Sequence, residues 1–261
     1  MRNRGASSGA LGKGVRDMGT GQPLPINGLT TFDRELLECS SDWTMCSGLQ
    51  KQFVMDATRY VLRREIPGAI VECGVWRGGM MQIVARTLMA EADAPNMAHA
   101  NQRELWLYDT YTGMPDPESP LDRDLYRGEH ASHKMGREPR ISDEGSPTIW
   151  CVADFDDVCT GMASTSYPKE RIHFVKGLVE DTIPNEAPSE ISILRVDTDW
   201  YSSTKHILQE LFDRVSPSGI IILDDYDSWE GAKAATDEFL TERVLTPLLV
   251  RLDRGRVFTK T

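Results

Sequence analysis

The sequence predicts an α/β fold: a mostly parallel sheet with helices on both faces, ending in an antiparallel C-terminal hairpin. Three observations predict it. Apolar runs of strand length recur at residues 69–73, 105–108, 172–175, 191–196 and 220–223. Helical stretches, or longer polar ones, separate them, the alternation that gives a parallel sheet covered by helices. The first run leads into a glycine-rich turn at residues 74–79 and then a helical pattern, the opening unit of Rossmann-like nucleotide-binding folds.

Taken in order, residues 1–30 are rich in Gly and Ser and have little to bury, so they read as disordered, as a mobile arm or as a lid ordered by ligand. Residues 1–46 together form an N-terminal arm or lid. Leu49, Phe53, Ala57, Tyr60 and Val61 share a helical face over 47–65; Ser47 caps it and Pro67-Gly68 ends it. The 69–73 strand, the turn and a helix through Met80, Ile83, Val84 and Leu88 follow, then the strand that ends at Asp109. Residues 113–165 carry five prolines and dense charge; they read as an insertion covering the active site, with a helix near 153–162. A helix over 203–215, a turn at Pro217-Ser218-Gly219, a helix over 231–240 and two antiparallel strands in 245–258 complete the chain.

At 261 residues the chain is read as one domain, large enough to bury its own core. The formal net charge of −11 disfavours nucleic acid and anionic membranes as partners. Five cysteines show no CxxC or zinc spacing, and the N-terminus lacks the apolar stretch of a secretory signal, so a cytoplasmic protein with reduced thiols is expected. No apolar run approaches the ~18 residues of a membrane helix.

Ligands of open α/β sheets bind beyond the carboxyl ends of the strands. Four of the five strands close on an acid: Glu72, Asp109, Asp197 and the pair Asp224-Asp225; Glu180 and Asp181 follow the third. Carboxylates crowded on one edge raise one another's pKa unless they are neutralised or used. Glu72 and Asp109 flank the glycine turn, where an acid ending the second strand accepts bonds from ribose hydroxyls, and Gly74, Gly78 and Gly79 let backbone approach a ligand. The pattern GVWRGG is neither GxGxxG nor a P-loop, which argues against dinucleotide and ATPase chemistry; tight strand–helix packing is the alternative. Asp197, Asp224 and Asp225 meet if the fourth and fifth strands are neighbours, and an all-oxygen set suits Mg²⁺ or Mn²⁺. Asp199 is either a base near that metal or a cap for the following helix. There is no GxSxG elbow and no Cys-His arrangement of a hydrolase.

These segments resemble the macrocin O-methyltransferase family, which includes mycinamicin and novobiocin sugar methyltransferases. Residues 70–79 (IVECGVWRGG) resemble its first motif, 108–115 (YDTYTGMP) its "DSFEGLP" segment, and Lys176-Gly177 with 180–184 its third-strand motif. Residues 194–204 (LRVDTDWYSST) are similar to its "LRLDGDLYEST", and 223–226 with Gly231 and 237–239 to its closing motif. The resemblance implies a class I methyltransferase fold with S-adenosylmethionine as methyl donor and Mg²⁺ (or Mn²⁺) as metal. It implies metal ligation by Asp197, Asp224 and Asp225, with Asp199 as base. It places Glu72, Gly74, Gly78, Asp109, Thr110, Gly177, Glu180 and Asp181 around the cofactor. The acceptor it implies is a small-molecule sugar or glycoside, a deoxysugar linked to a nucleotide or to an antibiotic, and the assembly a homodimer or larger homo-oligomer. Met80, Thr198 and Trp200 depart from the family's usual residues. A catechol-type metal-dependent O-methyltransferase is the alternative enzyme, and a noncatalytic adenosyl-binding subunit the alternative of another class.

Overall fold

The computed structural model describes residues 29–93, 97, 99–140 and 148–261. The arm or lid expected over 1–46 therefore lies outside the described residues as far as residue 28. From there the chain enters α1 (Thr31–Cys39), started by a capping box in which Thr30 and Asp33 each accept the other's backbone N–H. The same device, between Ser47 and Gln50, starts α2 (Gly48–Arg63), so the cap expected at Ser47 is present.

Strand β1 (Ala69–Cys73) is buried along its whole length. It leads through the glycine turn into α3 (Gly79–Ala92), then β2 (Leu105–Asp109). Among the described residues of the insertion are two helices, α4 (Ala131–Met135) and α5 (Phe155–Ala163), the second of which is the helix expected near 153–162. Then follow β3 (Ile172–Lys176), the single turn α6 (Val179–Thr182), β4 (Ile191–Val196), α7 (Tyr201–Leu211), β5 (Val215–Leu223), α8 (Glu230–Glu242), β6 (Val250–Leu252) and β7 (Gly255–Thr259).

The seven strands form one sheet in the order β3-β2-β1-β4-β5-β7-β6. The first five are parallel; β7 runs antiparallel to β5 and pairs with β6 as the expected hairpin. The order reverses between β1 and β4, so a crevice opens there beyond the strands' carboxyl ends. One face of the sheet packs on α2 and α3 through Val54, Val61, Ile83 and Leu88; the other packs on α7 and α8 through Ile207, Leu211 and Phe239.

Two local expectations are corrected. Helix α7 starts at Tyr201, two residues early, and a 3-10 turn over Phe212–Arg214 ends it. The turn expected at 217–219 lies inside β5 instead. Ile191 faces Val215 but Ile193 faces Ile220, so β5 bulges by three residues. Ser218 takes a φ of 65° there, and its N–H donates to Lys260 O at 2.7 Å. Tertiary pairing with the C-terminal residues thus overrides local turn chemistry.

The insertion is pinned onto the carboxyl edge of the sheet. Trp200 Nε1 donates to Pro115 O at 3.0 Å, and Tyr201 N–H to Asp122 Oδ1 at 2.9 Å. Asp124 bridges to Trp229. Trp150, Trp200, Trp229 and Met135 form a separate apolar cluster in this wall.

Candidate active site

A cleft of about 350 Å³ runs across the switch point between β1 and β4. One end is built by the turn after β1. Gly74 holds a φ of 85°, and a Cβ there would lie 1.9 Å from Asp197 O, so only glycine lets the exits of β1 and β4 cross. Asp109 shapes this turn from below: its Oδ2 accepts Val75 N–H (2.8 Å) and Trp76 N–H (3.0 Å), and its Oδ1 accepts Tyr111 N–H (2.8 Å). The acid expected to meet a ribose is thus also the clamp of its own loop. Gly79, the first residue of α3, lies against Trp43 and donates its N–H to Trp43 O at 3.0 Å; Met80 follows on the cleft lining, which brings the positive end of the helix beside the cleft.

The other end is an acidic cluster around one cation. Arg195 lies next to the carboxyl end of β4, level with Glu72 of β1. Its Nη1 donates to Glu72 Oε1 (2.5 Å) and Asp197 Oδ2 (2.6 Å), and its Nη2 to Asp224 Oδ1 (2.6 Å). Cys46 Sγ is 2.9 Å from the same Nη2, and Gln50 Nε2 donates to Asp224 Oδ1 at 2.9 Å. Asp225 accepts Asp199 N–H at 3.2 Å and lies within hydrogen-bond reach of the Asp197 and Asp199 carboxyls. Asp199 itself lies beside the Trp229 side chain, which favours its charged form, and has a φ of 61°, a left-handed conformation uncommon outside glycine.

One guanidinium does not balance five acids. Burial, with the neighbouring carboxylates, pushes Glu72 up to about 8, Asp224 up to about 7 and Asp199 up to about 6. Asp225, which has no arginine of its own, is driven well above the usual carboxylate range by the same causes. This shortfall of positive charge among hard oxygen donors fits a divalent cation such as Mg²⁺ or Mn²⁺. Cys46, Asp197 and Asp224 bring ligand atoms within 4.8 Å of one another, but Arg195 is bonded to all three.

Of the residues expected at the site, Glu72, Gly74, Asp109, Thr110, Gly177, Glu180, Asp197, Asp199, Asp224 and Asp225 line the cleft; Gly78 and Asp181 do not. Gly78 instead sits at the start of α3 with a φ of 76°, and Asp181 is exposed on α6. Asp199 does not cap α7. Trp200 holds the cap position without a side-chain bond, and Asp122, reaching over from the insertion, accepts the Tyr201 N–H in its place. Sequence reasoning missed Arg195, Cys46, Gln50 and Asp122. Only Arg195 had a legible signal: a charge inside an otherwise apolar strand needs buried partners.

Known proteins of similar sequence and fold are O-methyltransferases. The demethyldecarbamoylnovobiocin O-methyltransferase of Streptomyces niveus is 27% identical over 236 residues, 88% of this chain and 81% of that one. The mycinamicin III 3''-O-methyltransferase of Micromonospora griseorubida is 25% identical over 244 residues, 89% and 87% of the two chains. The structure of the O-methyltransferase NovP superposes with a TM-score of 0.66 at 26% identity, covering 84% of this chain and 82% of NovP. The fold is that of a class I O-methyltransferase. The macrocin-O-methyltransferase (TylF) family model matches residues 33–261, and the chain belongs to that family.

Proposed function

We propose that this enzyme transfers a methyl group from S-adenosylmethionine to a hydroxyl of a deoxysugar, in a reaction that depends on a divalent metal. The observation that carries the reading is that the glycine turn of β1 and the carboxylate cluster of β4 and β5 open into one continuous cleft. The relatives' names, which specify antibiotic substrates, support the sugar acceptor. The donor's methionine end would lie at the start of α3 and at Glu72 and Gly74, and its adenosine along Asp109, Thr110, Gly177 and Glu180. The chain would act as one domain, with the insertion over 113–165 as a cover and residues 1–46 as an arm or lid.

Bound S-adenosylmethionine would supply an electrophilic methyl, and a divalent cation, which Asp197, Asp224 and Asp225 would hold, would lower the pKa of an acceptor hydroxyl. The chain's own residues do the rest. Arg195 holds Asp197 and Asp224 in place from beneath. Asp199, at about 6, is ionised at neutral pH and basic enough to take the hydroxyl proton at its carboxylate. Trp229 and the Asp225 contact fix its direction. The insertion wall keeps bulk water from the acceptor, and positioning accounts for much of the rate.

The test is calorimetric titration with S-adenosylhomocysteine, then Mg²⁺ titration of that complex, on native protein and on Asp224→Asn and Asp199→Asn. Micromolar cofactor binding is expected in all three, with the metal site lost in Asp224→Asn. Turnover of Asp199→Asn should fall by ~10²-fold or more. A folded protein that binds no S-adenosylhomocysteine overturns the reading; cofactor binding without a metal site removes the metal from it.

A further inference from the structure

Beyond the Asp224-Asp225 pair the cleft is rimmed by Ser228, Asp253 and Arg254. Arg254 stands in the turn between β6 and β7, and the turn is fixed: Arg254 O accepts Asp227 N–H at 2.8 Å, and a Cβ on Gly255 would sit 3.0 Å from Asp224 O. The neighbouring Arg251 and Arg256 are both turned to Asp227. The Arg254 guanidinium has no hydrogen-bond or ion-pair partner among the described residues; it lies over the Tyr126 ring, 5.3 Å from its centroid. That ring is 62% exposed. Arg127, beside Tyr126 in the chain, and Lys134, whose charge is felt at Asp199, also have no carboxylate partner among the described residues. In a chain with 40 acidic and 29 basic residues, Arg254 is thus a cation left free on the lining of the cleft itself.

A neutral glycoside offers that cation hydroxyl acceptors but no opposite charge. An acceptor with its anionic group at one end and the reacting hydroxyl at the other suits both the free arginine at the rim and the metal-binding acids within. Resting on the function proposed above, we propose that Arg254 is a subsite for the diphosphate of a nucleotide-linked sugar. Its guanidinium fork matches phosphate oxygens, and the exposed Tyr126 ring beside it offers a stacking face. The enzyme then acts on the activated sugar, before a glycosyl transfer consumes it.

The experiment loads the full chain with S-adenosylhomocysteine in metal-free buffer, so that no diphosphate is held through a cation. It then titrates thymidine diphosphate, thymidine and glucuronate by calorimetry, on native protein, Arg254→Ala and Arg254→Lys. Thymidine diphosphate should bind, and thymidine and glucuronate at least about tenfold more weakly. Arg254→Ala should lose about tenfold or more for the diphosphate, with S-adenosylhomocysteine affinity unchanged, and Arg254→Lys should keep part of it. The proposal is overturned if the loaded protein ignores the diphosphate, if Arg254→Ala binds it as native protein does, or if glucuronate binds equally well. Failure to load S-adenosylhomocysteine would instead sink the function on which the proposal rests.

Discussion

Arg195 shows how a single side chain organises the site. Its side chain is only 4% exposed, yet it is shared among Glu72, Asp197 and Asp224 from three adjacent strands. Desolvating a guanidinium is costly and is offset here only because three carboxylates surround it. Replacing it with an apolar residue of similar length leaves those acids buried without a cation. Arg195→Met should therefore lower unfolding free energy by about 3–5 kcal/mol, read as a fall in the urea midpoint of metal-free protein. An unchanged midpoint would mean that the acids already share protons and do not need the arginine.

At the scale of elements, α7 depends on a residue 79 positions away. Asp122 is fully buried; its carboxylate accepts the Tyr201 N–H at the start of α7 and the Ser119 N–H, both at 2.9 Å. Asp122→Ala removes an N-terminal cap and strands two amide donors, so a loss of about 1–3 kcal/mol is expected. Because Asp197 and Asp199 lie in the segment that enters α7, turnover should fall as well, while S-adenosylhomocysteine titration stays near native. A variant with native stability and turnover would reduce Asp122 to a loop residue. Such a cap illustrates what the sequence could not display. The five parallel strands were legible because each is a compact apolar run bounded by Gly, Pro or acid, and the convergence of their terminal acids followed from the sheet type. Helices α1 and α4 were not, since nine and five residues give too few turns for periodicity to stand out. Capping by Asp122, the β5 bulge and the contact of Cys46 with Arg195 depend on pairings between distant segments, which no local pattern encodes.

For the molecule as a whole, the cleft makes stability depend on pH. Glu72 titrates near 4.5 in the unfolded chain and is pushed up to about 8 by burial when folded, so folding takes up a proton between those values. Its contribution is fully present below about 4.5 and is lost as pH rises through 8. Asp199 and Asp224 are raised too and act in the same direction. Metal-free protein should show a urea midpoint that declines from pH 5 to pH 8, and Glu72→Gln should flatten that slope. A midpoint that climbs over this interval would contradict the assignment. The same acids that favour a cation therefore weaken the cleft when none is bound.

The indole of Trp229 lies close enough to Asp199 to favour its charged form and meets Trp200 edge-on, with ring centroids 5.0 Å apart. Any change of charge at Asp199 alters the electric field across this pair. The enzyme thus carries its own optical probe at the carboxylate-rich end of the cleft. Its native emission should respond when a proton, a cation or a substrate arrives there, so occupancy can be followed in unlabelled protein in real time.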